Sequence, residues 1–129
     1  MRKYYILLSL TFLWGGYWLS SIYRPYAYEC DLQDFGLADA GNNLVFVPGV
    51  YFLILSVRNR PLVSYFKDIV LVWGLYVFIE VLQYSCFVSG TFDWLDITAL
   101  TIGAVLTFYS TRILHGADLT ISNKLTSYK

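Results

Sequence analysis

The sequence predicts an all-α protein, an integral membrane bundle of four transmembrane helices, and three observations carry that prediction. Of 129 residues, 57% are hydrophobic and 14% charged, with a mean hydropathy of +0.55; a soluble domain carries about 25% charged residues. The apolar residues fall in continuous runs without period-two alternation, which favours helices over barrel strands. The connectors between the runs alternate in charge, basic then acidic. The whole chain, 1–129, reads as a single transmembrane domain, because its longest polar stretches are only a connector and a tail.

Roughly 20 apolar residues cross about 30 Å of hydrocarbon, and each element follows from that length. Residues 4–23 form the first span and contain no charge. Met1-Arg2-Lys3 also suits the start of a signal peptide, but the apolar run ends in Tyr-Trp-Leu-Ser-Ser-Ile-Tyr without an A-x-A site, so it is kept as a helix. The connector 24–41 has turn signals at Pro25, Gly36 and Gly41 and is expected to hold a short strand or an interfacial helix. Residues 42–57 form the second span, where Pro48-Gly49 predicts a kink that neighbouring helices must repair. Residues 69–88 form the third and hold Glu80 and Gln83. Residues 97–114 form the fourth, which is rich in threonine. The polar tail 116–129 is expected to be loosely ordered.

Orientation follows from the lysines and arginines. Arg2, Lys3, Arg58, Arg60, Lys67, Arg112, Lys124 and Lys129 fall on one side of the four-span plan, and only Arg24 on the other. That distribution predicts a multi-pass protein of the cell membrane with both termini in the cytoplasm. The opposite face receives Glu29, Asp31, Asp34, Asp39, Asp93 and Asp96. A net charge of zero argues against nucleic acid as a partner; the lipid bilayer is the expected one, with a second copy of the chain as a further candidate. Tyr4, Tyr5, Trp18, Tyr23, Tyr26, Tyr28, Trp94 and Tyr109 are expected as anchors at headgroup depth. Cys30 and Cys86 both fall near the outer face, where an oxidising compartment permits a disulfide; two unpaired thiols are the alternative. With a single histidine, His115, no metal-ligand spacing exists, and neither metal nor cofactor is expected.

Glu80 is the residue that least fits a lipid environment. It lies near the middle of its span, with Gln83 about 5 Å further out on the same face and Tyr76 and Phe87 continuing that face. A charged carboxylate at such depth costs from about 2.5 to more than 10 kcal/mol. No lysine, arginine or histidine sits at matching depth in another span, so Glu80 is expected to be protonated at rest unless water reaches it. Two readings follow. Glu80 and Gln83 hydrogen-bond to Asn43, Thr98, Thr101 or backbone freed by Pro48, or they line a polar cavity open to the outer face. The outer half of such a cavity has candidates in Asp93, Asp96, Asp39, Asn42 and Asn43. Asp96 and Asp39 are also placed to cap the helices they precede, and Glu80 with Asp93 or Asp96 is a conceivable acid-base pair. Ala99, Gly103 and Thr107, at four-residue spacing, form a small-residue face that lets the third helix or a second copy approach closely.

Glu80-x-x-Gln83, then Gly90-Thr91-Phe92-Asp93-Trp94-Leu95-Asp96, then Ala99 and Gly103, resembles the signature of VanZ-like membrane proteins. These have a Glu and a Gln in one helix, an aspartate-bearing turn and a glycine in the last helix. The resemblance implies a role in the bacterial cell envelope, since the family's namesake is associated with low-level teicoplanin resistance and most relatives have no assigned activity. It implies a lipid-linked wall component or a lipoglycopeptide as the ligand, and Glu80, Gln83, Asp93 and Asp96 as matching site residues, with Asp39 corresponding to an acidic entry to the second helix. Many members carry an arginine just before the aspartate turn, where this chain has Gly90-Thr91, and a His or Lys near the second helix, where it has Asn42 and Asn43. Two other classes stand beside this one: a small scaffold acting through other membrane proteins, and an intramembrane enzyme using Glu80 as acid or base. The enzyme has the weakest footing, because no nucleophile with an adjacent base can be named.

Overall fold

A computed structural model of the chain describes residues 2–58, 65–85, 87–89 and 92–126, with side chains as far as Leu114. Arg60, Cys86, Gly90, Thr91 and Lys129, singled out above, lie outside the described residues, as do the side chains of His115 and Lys124.

The first helical unit is longer than the apolar run that predicts it. It starts as α1, Arg2–Trp18, passes through a π-helical turn, Leu19–Tyr23, and continues as α2, Arg24–Glu29. Pro25 explains the turn. A proline in a helix lacks the N–H for the i−4 carbonyl, and here the Arg24 N–H reaches back five residues to the Leu19 carbonyl just before it. The register slips by one residue at the place where a bond must be lost, and the helix runs on. The expected strand is absent among the described residues, and the connector shrinks to a loop over 30–36.

The second span also starts early, as α3, Leu37–Val57. Asp34 sets this start: its carboxylate accepts the backbone N–H of Gly36 at 3.1 Å and of Ala38 at 2.7 Å, donors that a helix start otherwise leaves unpaired. Gly36 takes a left-handed φ of 84° that suits glycine. The expectation that Asp39 caps this helix is therefore corrected to Asp34. Helix α4, Tyr65–Tyr84, ends before the predicted boundary, so Phe87 falls past its end and does not extend the Glu80 face. Helix α5, Trp94–Thr126, begins with Asp93 accepting the Leu95 N–H at 3.0 Å. Asp93, not Asp96, caps it, and Asp96 sits inside the first turn. The tail expected to be loose continues as helix to Thr126. Extending an existing helix costs little, and Gly116 alone, at about 1 kcal/mol, does not end it.

Helix α3 is central, packed along α1 on one side and α5 on the other, while α4 rests mainly on α5. Val47, Tyr51, Phe52 and Leu55 of α3 meet Tyr5, Ile69, Val72 and Leu100 in the core, and Phe52 stacks between Tyr5 and Phe12. Tyr5 is thus a core residue and not an interfacial anchor, whereas Tyr4, Trp18, Tyr26, Tyr28, Trp94 and Tyr109 are exposed.

Pro48 leaves the carbonyl of Leu44, four residues earlier, without its helical donor, and α5 passes close to that carbonyl at Gly103. A side chain on Gly103 would place its first carbon 2.4 Å from the Leu44 oxygen, so only glycine lets the α5 backbone pass there. The small-residue face of Ala99, Gly103 and Thr107 therefore serves the contact with α3, and its partner is not α4.

Leu7, Trp14, Leu71, Phe78, Leu106 and Ile113 all point outward. Helices apolar on every side belong in a protein interior or a membrane. Three units, Arg2–Glu29, Leu37–Val57 and Trp94–Leu114, are long and apolar enough to cross a membrane. Helix α4 has the length, but Lys67, Asp68 and Glu80 all fall within any 18-residue stretch of it, and it is not among these three.

Candidate functional site

One cavity of about 380 Å³ opens between α3, α4 and the start of α5. Helix α3 contributes Asp39, Asn42, Asn43 and Phe46, and α4 contributes Tyr76, Ile79, Glu80 and Gln83. Each set follows a spacing of three or four residues, so each is one helix face. Asp93 and Asp96 close the α5 side, and Arg24 reaches in from α2. All six residues proposed from sequence as a polar site, Glu80, Gln83, Asp93, Asp96, Asp39 and Asn43, line this one cavity.

The polar groups divide into a paired mouth and an unpaired interior. At the mouth, Arg24 lies 3.2 Å from Asp39 through Nη2 and Oδ1, and its guanidinium donates to the Tyr28 hydroxyl at 3.4 Å. The Tyr28 hydroxyl in turn donates to Asp39. Both members of the ion pair are nearly half exposed, where such pairs contribute about 0–1 kcal/mol, so its role is placement. Further in, Asn43 Nδ2 donates to Asp96 Oδ1 at 2.7 Å, joining α3 to α5.

Glu80 has no such arrangement. The residue is 8% exposed, and its Oε2 is buried with no hydrogen-bond partner. The Oδ1 of Asn42 is buried and unpartnered as well. The partners that a purely structural role would use are committed elsewhere. Asn43 holds Asp96, and Thr98 and Thr101 donate to the carbonyls of Trp94 and Ile97 in their own helix. An unmade bond of a buried polar atom costs about 1–3 kcal/mol, so the interior presents acceptors that lack donors.

Phe46 and Tyr76 stack in parallel at 5.6 Å and form an aromatic wall to the cavity. Sequence reasoning found neither Phe46 nor Arg24. Phe46 was legible, since it continues the face of Asp39, Asn42 and Asn43. Arg24 was not, because its position depends on the π turn that carries the first helix across the expected connector. Four carboxyl groups and one guanidinium line the site, so its formal charge is acidic. No three metal-binding side chains converge on one point among the described residues. Cys30 is exposed and free; the pairing with Cys86 that the compartment would permit involves a residue outside those described.

Fold and site together define an all-helical protein with helices fit to cross a membrane and an acidic cavity between them. Searches against protein-family models, curated proteins and solved structures find no match.

Proposed function

We propose that the chain is a four-span protein of the bacterial cell membrane, with both termini cytoplasmic, whose cavity receives the polar part of a lipid-linked wall component or a lipoglycopeptide. The observation that carries this reading is the buried Oε2 of Glu80, facing a cavity and without a partner. Intramembrane carboxylates are costly enough to mark ligand or ion sites, and the VanZ-like signature runs through the same residues.

Two further features support the membrane arrangement. Lys67 and Asp68 sit in the first turn of α4, where Asp68 pairs with Arg58, so the rest of α4, residues 69–84, holds Glu80 as its one charge. Arg2 donates to the Ser56 carbonyl at 2.7 Å, which gathers Arg2, Arg58 and Lys67 at one end of the bundle. Asp34, Asp39, Asp93 and Asp96 lie at the other, an asymmetry that matches the positive-inside distribution.

The test is teicoplanin susceptibility of a Gram-positive host expressing wild type, Glu80→Gln or Glu80→Ala at matched membrane abundance. Raised tolerance in the wild type that Glu80→Ala removes supports the envelope role. Unchanged tolerance with well-inserted protein sinks it.

A further inference from the structure

The chemistry of the cavity specifies its occupant more narrowly than its place in a membrane does. Of the buried atoms without a partner, the two that belong to the lining, Glu80 Oε2 and Asn42 Oδ1, are acceptors, so the missing group is a donor. The only cation among the described lining residues, Arg24, is held at the mouth by Asp39 and Tyr28, and the Asp96 carboxylate has the neutral amide of Asn43 as its donor. Four carboxyl groups line the cavity against that one engaged guanidinium, so a positive donor suits the lining best. A volume of about 380 Å³ lies in the lower part of the range of about 300–1,000 Å³ typical of small-molecule sites, far larger than a bare ion requires. The lack of any three-ligand cluster among the described residues points away from a divalent metal.

We propose that the Glu80 cavity binds a primary ammonium group on an organic headgroup. This inference rests on the headgroup-binding reading above and names the chemistry that reading leaves open. A primary ammonium offers three N–H donors on a compact positive charge, which matches two acceptors and a nearby carboxylate; a quaternary ammonium has no N–H to give. The stacked Phe46 and Tyr76 supply an apolar wall for the methylene groups next to the nitrogen. A lipid headgroup and a free amine share this chemistry, so both are tested.

The full chain in nanodiscs of phosphatidylcholine is titrated with phosphatidylethanolamine and, separately, with ethanolamine, and bound ligand is counted by native mass spectrometry. The N-acetylated form of each probe serves as the control without an ammonium. The expected result is retention of an amine probe on wild type, at least tenfold weaker retention of its acetylated form, and at least a tenfold loss of affinity in Glu80→Gln. Retention of the lipid but not of ethanolamine assigns the site to a headgroup; equal retention of both assigns it to amines in general. Equal binding of amine and acetylated probe, unchanged binding in Glu80→Gln, or no retention of either amine overturns the proposal. Where Glu80→Gln fails to insert, the acetylated probes on wild type decide alone. A cavity that takes acetylated and amine lipids alike sinks the ammonium and keeps the headgroup reading; a cavity that takes neither lipid, in a host with unchanged tolerance, sinks both.

Discussion

Where α1, α3 and α5 cross, Ser9, Thr107 and Thr111 are each 1% exposed, and every one of their hydroxyls donates to a backbone carbonyl. Beside α4, Glu80 is almost as deeply buried, and Oε2 has no partner. The first region spends its polar groups on its own backbone: Ser9 reaches Gly49 across helices at 2.8 Å, while Thr107 and Thr111 bond back one turn to Gly103 and Thr107 at 2.6 and 2.7 Å. The Tyr51 hydroxyl in the same core is buried without a partner as well, but it is a neutral group and does not line the Glu80 cavity. The second region leaves acceptors open, and that difference, not burial as such, separates a structural polar core from a binding cavity.

The largest effect is expected where the closed region is tightest. Gly103→Ala would set a side-chain carbon 2.4 Å from the Leu44 oxygen, and backbone on both sides leaves no flexible end to yield. Overpacking of this kind costs roughly 1–3 kcal/mol, and the upper half of that range is expected here, read as a lower melting temperature in detergent. Gly74→Ala is the control, because nothing lies within 4 Å of a side chain there; a glycine-to-alanine change in an open helix position stabilises by roughly 0.5–1 kcal/mol. Equal behaviour of the two variants would show that α3 and α5 do not meet through Gly103.

The open region predicts an effect of the opposite sign. Glu80→Met fills a similar volume without an unpaired acceptor, so the variant is expected to be more stable than wild type by roughly 1–2 kcal/mol while losing ligand binding. Gains of stability at the expense of function are characteristic of sites held in an unsatisfied state. A melting temperature that falls in Glu80→Met would mean that the carboxyl is paired within the protein, and the contrast between the regions would collapse.

How much of this was legible in the sequence follows the same division. Most of the cavity residues could be named because helical spacing alone puts Glu80 beside Gln83 and Asp39 beside Asn42 and Asn43, and because polar residues in apolar runs stand out. The helix starts were misread by one polar residue each, Asp34 for Asp39 and Asp93 for Asp96. In both places two aspartates lie within five residues of each other, and only the backbone path decides which reaches the free N–H groups. Tyr5 was misread because an amphipathic ring suits both an interface and a core. The π turn before Pro25 and the meeting of Gly103 with the Leu44 carbonyl arise from pairings between distant residues, which no local pattern encodes.

The smallest effect tests the closed region at the Ser9 hydroxyl, which bonds across helices. Ser9 joins α1 to α3 at the Gly49 carbonyl, next to the Pro48 break. Side-chain hydrogen bonds between membrane helices average about 0.6 kcal/mol, so Ser9→Ala is expected to lower stability by about that much. The modest value has a physical origin: when the helices separate, the Ser9 hydroxyl folds back onto a carbonyl of its own helix, so the bond is exchanged and not lost. The same exchange is closed to Glu80, whose carboxyl acceptors find no free N–H along a helix flank. A Ser9→Ala loss near 0.6 kcal/mol beside a Glu80→Met gain would therefore measure the asymmetry itself. Hydroxyls return to their helix at little cost, whereas a buried acceptor waits for a donor from outside.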